Sequence, residues 1–337
     1  MNKNIKNIIF TLLRILIVAG IFYYLIKFSQ FDPSKLKKAL YRPDLFFTTA
    51  VLFFIGFIIS AQRWRMILFS QGVSIDFMNA AKLTMIGFFF SAAIPGSVSG
   101  DIIKAYYAAK GSEKKTTIVT SIFFDRIMGM YTMVLVAFIT VVSVFTANYI
   151  SGKESIWSQP YFRGLGIFII VLFFSLTAMG FIFMNKTLKN SSYVNYILKK
   201  FPFHSIIEKV YAAVNIFGSK PLSLLKVILV SILTQIPGYI GILILALILG
   251  IKELAYLDYL IVLPVCFLIN AIPVAPGGLG VGEVGFRKIF FLFGSQEGAE
   301  LAFLLHMIFY ILAIGIGGLV YMLSDVSKNY KNLKYHE

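Results

Sequence analysis

Charged residues are missing from long blocks of the chain, and the blocks recur at intervals that suit membrane helices. Runs without Asp, Glu, Lys or Arg extend over Leu45 to Gln62, Leu83 to Gly100, Ile127 to Gly152, Gly164 to Asn185, Val227 to Ile251, Tyr259 to Gly282 and Leu301 to Ser324. A helix needs roughly 20 apolar residues to cross the hydrocarbon core. An eighth segment, Asn7 to Ile26, carries Arg14 within it. Its start, "MNKNIKNIIFTLLRILIVAG", has the basic lead and apolar centre of a signal sequence. No A-x-A-like site comes after it and the apolar run continues to Phe28, so it is read as a retained first membrane helix. The pattern predicts an all-α fold.

Two of the eight segments run into glycine-rich punctuation with an acid immediately after it: "SAAIPGSVSGDIIK" and "AIPVAPGGLGVGEVGFRK". Aligned on their prolines, Pro95-Gly96 matches Pro276-Gly277, Gly100-Asp101 matches Gly282-Glu283, and a cation stands on the next turn, Lys104 and Arg287. Proline and glycine interrupt a helix. Unpaired backbone in hydrocarbon costs on the order of several kcal/mol per group, so such breaks survive only when buried in protein or facing a wet cavity. Both segments are therefore expected to be re-entrant helical hairpins, leaving about six spanning helices and both termini on one side.

Residues 7–150 and 162–324 then each read helix, amphipathic elbow, helix, hairpin, helix. Three crossings per half turn the second copy upside down, an inverted-topology repeat of the kind that brings broken helices together near the midplane in secondary transporters. The whole chain, 1–337, is expected to be one membrane domain, with 325–337 a basic cytoplasmic tail. Lysine and arginine collect on the side that holds the termini, which places both termini in the cytoplasm and the protein, as a multi-pass species, in the cell (inner or plasma) membrane. The first outer loop, "KFSQFDPSKLKKALYRPD", departs from that bias.

Composition agrees. With 58% hydrophobic and 14% charged residues, the chain has more apolar surface than a water-soluble fold of 337 residues can hide. The net charge of +16 is expected to attract anionic lipid, above all through the lysine- and aromatic-rich elbow from Asn185 to Lys220. These cations flank membrane spans and form no RNA-binding motif, so no nucleic-acid partner is expected. The single Cys266 excludes an intrachain disulfide and a cysteine metal set. No HExxH, GxSxG or Walker pattern occurs, and no cofactor, metal or direct ATP drive is expected.

The hairpins supply the candidate chemistry. After the first break "DIIKAYYAAK" restarts as a helix with Asp101 in its first turn, where free N–H groups and the positive end of the dipole favour an anion such as phosphate. The second hairpin repeats the arrangement with Gly277, Gly278, Gly280, Gly282, Glu283 and Arg287, the last two at i, i+4. Asp125 and Arg126 enter a membrane helix about two turns from its start at Thr116. Being adjacent they point about 100° apart and need separate partners: Lys104 for Asp125, and Asp101 or a lipid phosphate for Arg126. Each charge has a plainer reading as a pin that clamps the hairpins, and each glycine as a packing contact like those expected of Gly315, Gly317 and Gly318. His306 reads first as a hydrogen-bonded packing residue, and Gln235-Ile-Pro237-Gly238 as a kink.

Together "PGSVSGDIIK", "FFDRIMGM" and "PVAPGGLGVGE" resemble the signature blocks of the lysylphosphatidylglycerol synthase transmembrane region, or flippase-like domain, family. The resemblance covers nearly the whole chain. It implies an integral membrane lipid translocase moving an anionic or aminoacylated phospholipid, or a lipid-linked headgroup, between leaflets. Carried over by motif, the substrate-binding positions are Pro95, Gly96, Gly100, Asp101, Lys104, Asp125, Arg126, Pro276, Gly277, Gly278, Gly280 and Glu283; the residue reading adds Arg287. Lys104 stands where many relatives carry arginine, keeping the charge but not the bidentate fork. Longer relatives add a soluble domain that transfers the amino acid from tRNA. No segment of these 337 residues is expected to fold as one, so catalytic residues are not assigned. The alternative is a membrane-embedded lipid-modifying enzyme, by aminoacyl or glycosyl transfer, with Asp101 or Glu283 as base, or an accessory subunit of one. Expected partners are a membrane phospholipid or lipid-linked substrate, the anionic lipid surface, and a second copy or a lipid synthase.

Overall fold

The structure is a computed structural model, and it describes residues 33–94, 98–110, 112–151, 160–185, 217, 220–271 and 278–324. The first predicted membrane helix, the elbow after Asn185 and the basic tail lie outside the described residues. Every regular element among the described residues is helical. After a short helical turn over Pro33–Leu40 come α1 (Pro43–Ser70), α2 (Phe77–Ala93), α3 (Ser99–Ala109), α4 (Lys115–Ser151), α5 (Pro160–Met184), α6 (Pro221–Leu249), α7 (Tyr256–Asn270), α8 (Val281–Leu292) and α9 (Gly298–Leu323). Within α9, Ile311–Gly317 is wound as a π-helix.

Helices α1, α4, α5, α6 and α9 are long and apolar enough to cross a membrane. They are five of the six predicted crossings, the sixth being Asn7 to Ile26. The four remaining helices fall where the two hairpins are predicted. Helices α2, α3, α7 and α8 have 17, 11, 15 and 12 residues. At 1.5 Å per residue even the longest rises only about 26 Å, short of the roughly 30 Å hydrocarbon core.

The fold forms two compact units. The first comprises the described residues of Met1–Ile58, Lys82–Tyr107 and Ile236–Asn329; the second those of Ile59–Ala81, Ala108–Gln235 and Tyr330–Glu337. In the first, Phe57, Phe88 and Phe309 join α1, α2 and α9, with ring centroids 4.2 to 6.3 Å apart. Small residues let the helices close in. A Cβ on Gly317 would lie 2.7 Å from the Met85 carbonyl oxygen, and one on Gly241 would lie 2.9 Å from Phe53 Cε2. Gly318 also packs on Phe89, whereas Gly315 meets nothing within 4 Å, so the expected packing role holds for two of those three glycines.

In the second unit α4 and α5 pack through stacked Phe138 and Phe173, centroids 4.1 Å apart, and Phe124 stacks on Phe217 at 4.6 Å. Trp64, fully buried, donates from Nε1 to Ser121 Oγ at 3.0 Å, fixing α1 on α4.

Lysines close the ends of the long helices, where carbonyls lack intrahelical partners. Lys220 Nζ donates to the Ser70 carbonyl at 2.8 Å and Lys114 Nζ to that of Gly72 at 3.0 Å, both at the C-terminal end of α1. In the first unit Lys38 Nζ donates to the Leu249 carbonyl at 2.9 Å, closing α6. Lys35 pairs with Glu297, just before α9, at 2.7 Å. These ties also gather the ends of the hairpins. Gly72 precedes α2 and Lys114 comes after α3; Glu253 precedes α7, and a Cβ on Gly294, beyond the end of α8, would lie 3.9 Å from Glu253 Cγ. The segments that flank each short-helix pair thus lie close together.

Candidate functional site

Pro95, Gly96, Pro276 and Gly277 lie outside the described residues, but the helices they lead into are described. Helix α3 starts at Ser99, whose hydroxyl donates to the Ile94 carbonyl at 3.0 Å, and Asp101 falls in its first turn as expected. Gly100 is the crossing point: a Cβ there would run into the Gly87 carbonyl of α2 and the Ser91 hydroxyl. Lys104, 6% exposed, lays its stem along α2, within 3.5 Å of where a Gly87 Cβ would stand. Asp101 is half-buried, with Oδ2 shut off from solvent.

The second hairpin is built the same way but more tightly. Gly278 and Gly280 have φ of +85° and +87°, a backbone region that side chains with a Cβ rarely enter, and they turn the chain into α8. Glu283, fully buried in the first turn of α8, reaches back so that the Gly280 N–H donates to Oε2, the half of a capping box a glycine can make. Its other oxygen, Oε1, lies 2.8 Å from His306 Nδ1 on α9. The second nitrogen of His306, Nε2, lies 3.2 Å from Asn270 Oδ1 at the end of α7. The Asn270 amide occupies the space that a Cβ on Gly278 or on Gly282 would need. Gly285 admits Ile269, whose Cγ2 would be 2.6 Å from a Cβ there.

Helices α7, α8 and α9 therefore meet at one buried polar cluster, Glu283–His306–Asn270. Beside it is a cavity of about 200 Å³ lined by Phe53, Phe57, Phe267, Phe286, Phe309 and the polar edges of Asn270 and His306. The sequence pattern points to Glu283, reads His306 as a packing residue and gives Asn270 no role. Their signal is nonetheless present: each is polar inside an otherwise apolar run. Arg287, expected on the same face as Glu283, donates to the Gln296 carbonyl at 3.0 Å and clamps the turn between α8 and α9.

Asp125 belongs to the second unit. Its partner is Arg63 of α1, not the Lys104 suggested by the sequence. Arg63 grips it bidentately, Nε to Oδ1 at 2.7 Å and Nη2 to Oδ2 at 3.1 Å. The reason lies one turn along α4, where a Cβ at Gly129 would stand 3.2 Å from Arg63 Nη1; glycine opens a slot for the flat guanidinium. Arg126 faces outward on the same helix.

Five spanning helices and two short-helix pairs with buried charge define a polytopic, all-helical membrane protein. The sequence profile of the lysylphosphatidylglycerol synthase TM region matches residues 11–317, and the chain belongs to that family. Comparison with curated proteins and with solved structures gives no match. Membership ties the protein to membrane lipid.

Proposed function

We propose that the protein moves a phospholipid or lipid-linked headgroup between the leaflets of the cell membrane. One observation carries this reading. Two helix pairs too short to cross have flanking segments that lie close together, and each restarts with an acid in the first turn of its second helix. The α2–α3 pair has its ends tied beside the C-terminal end of α1, through Lys114 and Gly72. The segment leading into α1 is tied to the Leu249 end of α6, from which the α7–α8 pair sets out. Short-helix pairs of this kind are what the re-entrant hairpins of an inverted repeat would present. A headgroup phosphate then meets helix N-termini and the Lys104 cation, while the acyl chains stay in lipid.

The test uses purified protein in proteoliposomes with phosphatidylglycerol labelled on its headgroup. The expected result is transfer between leaflets above the protein-free rate, with the lipid's mass unchanged. A new lipid product by mass spectrometry, without transfer, overturns translocation in favour of a lipid-modifying enzyme.

A further inference from the structure

The buried cluster on α7, α8 and α9 has a property that simple clamping does not need. Both ring nitrogens of His306 face oxygen atoms, Glu283 Oε1 at 2.8 Å and Asn270 Oδ1 at 3.2 Å. A neutral imidazole has one donor and one acceptor, so that arrangement is satisfied by the doubly protonated ring beside the Glu283 carboxylate, or by the neutral ring beside a protonated Glu283, which holds the same number of protons. With one proton fewer, the neutral ring keeps its Nδ1–H on the Glu283 carboxylate and needs the Asn270 amide turned by half a revolution, presenting Nδ2–H to Nε2. The two states differ by one proton and one amide rotation. No other bond changes, and the proton comes from water.

We propose that Glu283, His306 and Asn270 form a proton-binding site through which the protein senses or uses a proton gradient. Resting on the translocase reading above, this makes the proton a co-substrate of lipid movement. Ionisable side chains inside a membrane protein commonly mark proton or ion pathways, because burying them is expensive otherwise. Glu283 is 0% exposed and His306 6%. The cavity of about 200 Å³ reaches His306 and Asn270, and its other lining among the described residues is apolar, so a water entering it finds polar partners at those two residues.

On α8, Arg287 is turned to the Gln296 carbonyl. On α9, Tyr310 lies within electrostatic reach of Glu283, and buried Glu300 stands nearly two turns before His306. On α7 the buried thiol of Cys266 is one turn before Asn270, and α1 contributes to the cavity only Phe53 and Phe57. The amide rotation is also mechanically connected. Asn270 fills the nest left by Gly278 and Gly282, so a change in its orientation acts directly on the backbone of the hairpin turn.

Two measurements on the reconstituted full-length protein decide the matter. Infrared difference spectra between mildly acidic and mildly alkaline buffer, with isotope-labelled histidine, are expected to show an imidazole change and a carboxyl change together. Both are expected to vanish in His306→Gln and in Glu283→Gln. Absence of any coupled histidine and carboxyl signal in the unsubstituted protein overturns the site and needs no variant to fold. Second, the leaflet distribution of headgroup-labelled phosphatidylglycerol is read at steady state with and without a pH difference across the vesicle. One proton per lipid predicts a distribution shifted by up to about tenfold per pH unit. An even distribution under the gradient, with rapid lipid movement, overturns proton coupling and leaves translocation standing. An intact infrared signal with no lipid movement at any pH overturns translocation and leaves the proton site standing.

Discussion

Arg63 and Asp125 show how a single side chain redirects the reading of a motif. The block "FFDRIMGM" presents an acid and a glycine one turn apart, and the structure uses both for one purpose, to seat the guanidinium of Arg63. Removing one partner from a nearly buried pair leaves an uncompensated charge. Arg63→Ala or Asp125→Ala is therefore expected to cost about 3 kcal/mol, whereas the double replacement Arg63→Met with Asp125→Leu recovers most of that loss. Thermal unfolding of the detergent-solubilised variants checks it; additive losses in the double variant contradict it. Glu297 offers a pH-dependent counterpart outside the membrane. Desolvation pushes its carboxyl upward, but Lys35, Ser295 and the Gln296 N–H together hold it below the ordinary range. A depressed folded-state value contributes stability above the unfolded value that is lost as pH falls through the folded one. Acidification below about pH 4 is thus expected to free the Pro33–Leu40 segment from the start of α9, by under about 1 kcal/mol. The protection factor of that segment, hydrogen exchange corrected for the intrinsic rate at each pH, should fall on acidification in the parent protein and be already low in Lys35→Ala; equal protection in both at neutral pH contradicts it.

At the level of elements, glycines divide sharply by what stands opposite them. Gly317 faces the Met85 carbonyl at a distance no Cβ tolerates, and a backbone atom cannot swing aside. Gly315, two residues earlier in the same π-wound stretch, faces open space. Gly317→Ala is expected to lower the unfolding temperature clearly, while Gly315→Ala stays within about 0.5 kcal/mol of the parent or gains from alanine's better helix propensity. The same denaturation assay separates them, and equal effects contradict the contact. The apolar blocks and the two proline-glycine breaks made the long helices and the short helices beside the breaks legible in the sequence, because hydrocarbon thickness and backbone satisfaction leave few alternatives. The contacts were not legible. Arg63 sits at the edge of a run and looks like a loop cation, and no local spacing tells that Asp125 lies 62 residues away in sequence but 2.7 Å away in space. His306 and Asn270 were visible as polar exceptions, yet only the packing of α7, α8 and α9 makes them partners of Glu283.

For the molecule as a whole, three of the five cations in the loop that departs from the charge bias of a cytoplasmic N-terminus are held by protein. Lys35 is on Glu297, Lys38 on the Leu249 carbonyl and Arg42 on Asp44. The proposed lipid translocation makes the first-turn acids of the two hairpins the working parts of the protein. Its most direct test is the rate at which proteoliposomes carrying Asp101→Asn, Glu283→Gln or Gly315→Ala equilibrate headgroup-labelled phosphatidylglycerol between leaflets, each variant first shown to be folded and inserted. The account predicts that Gly315→Ala keeps the parent rate while both acid variants fall to the rate of empty vesicles. Folded Asp101→Asn and Glu283→Gln proteins that both move lipid at the parent rate would contradict it.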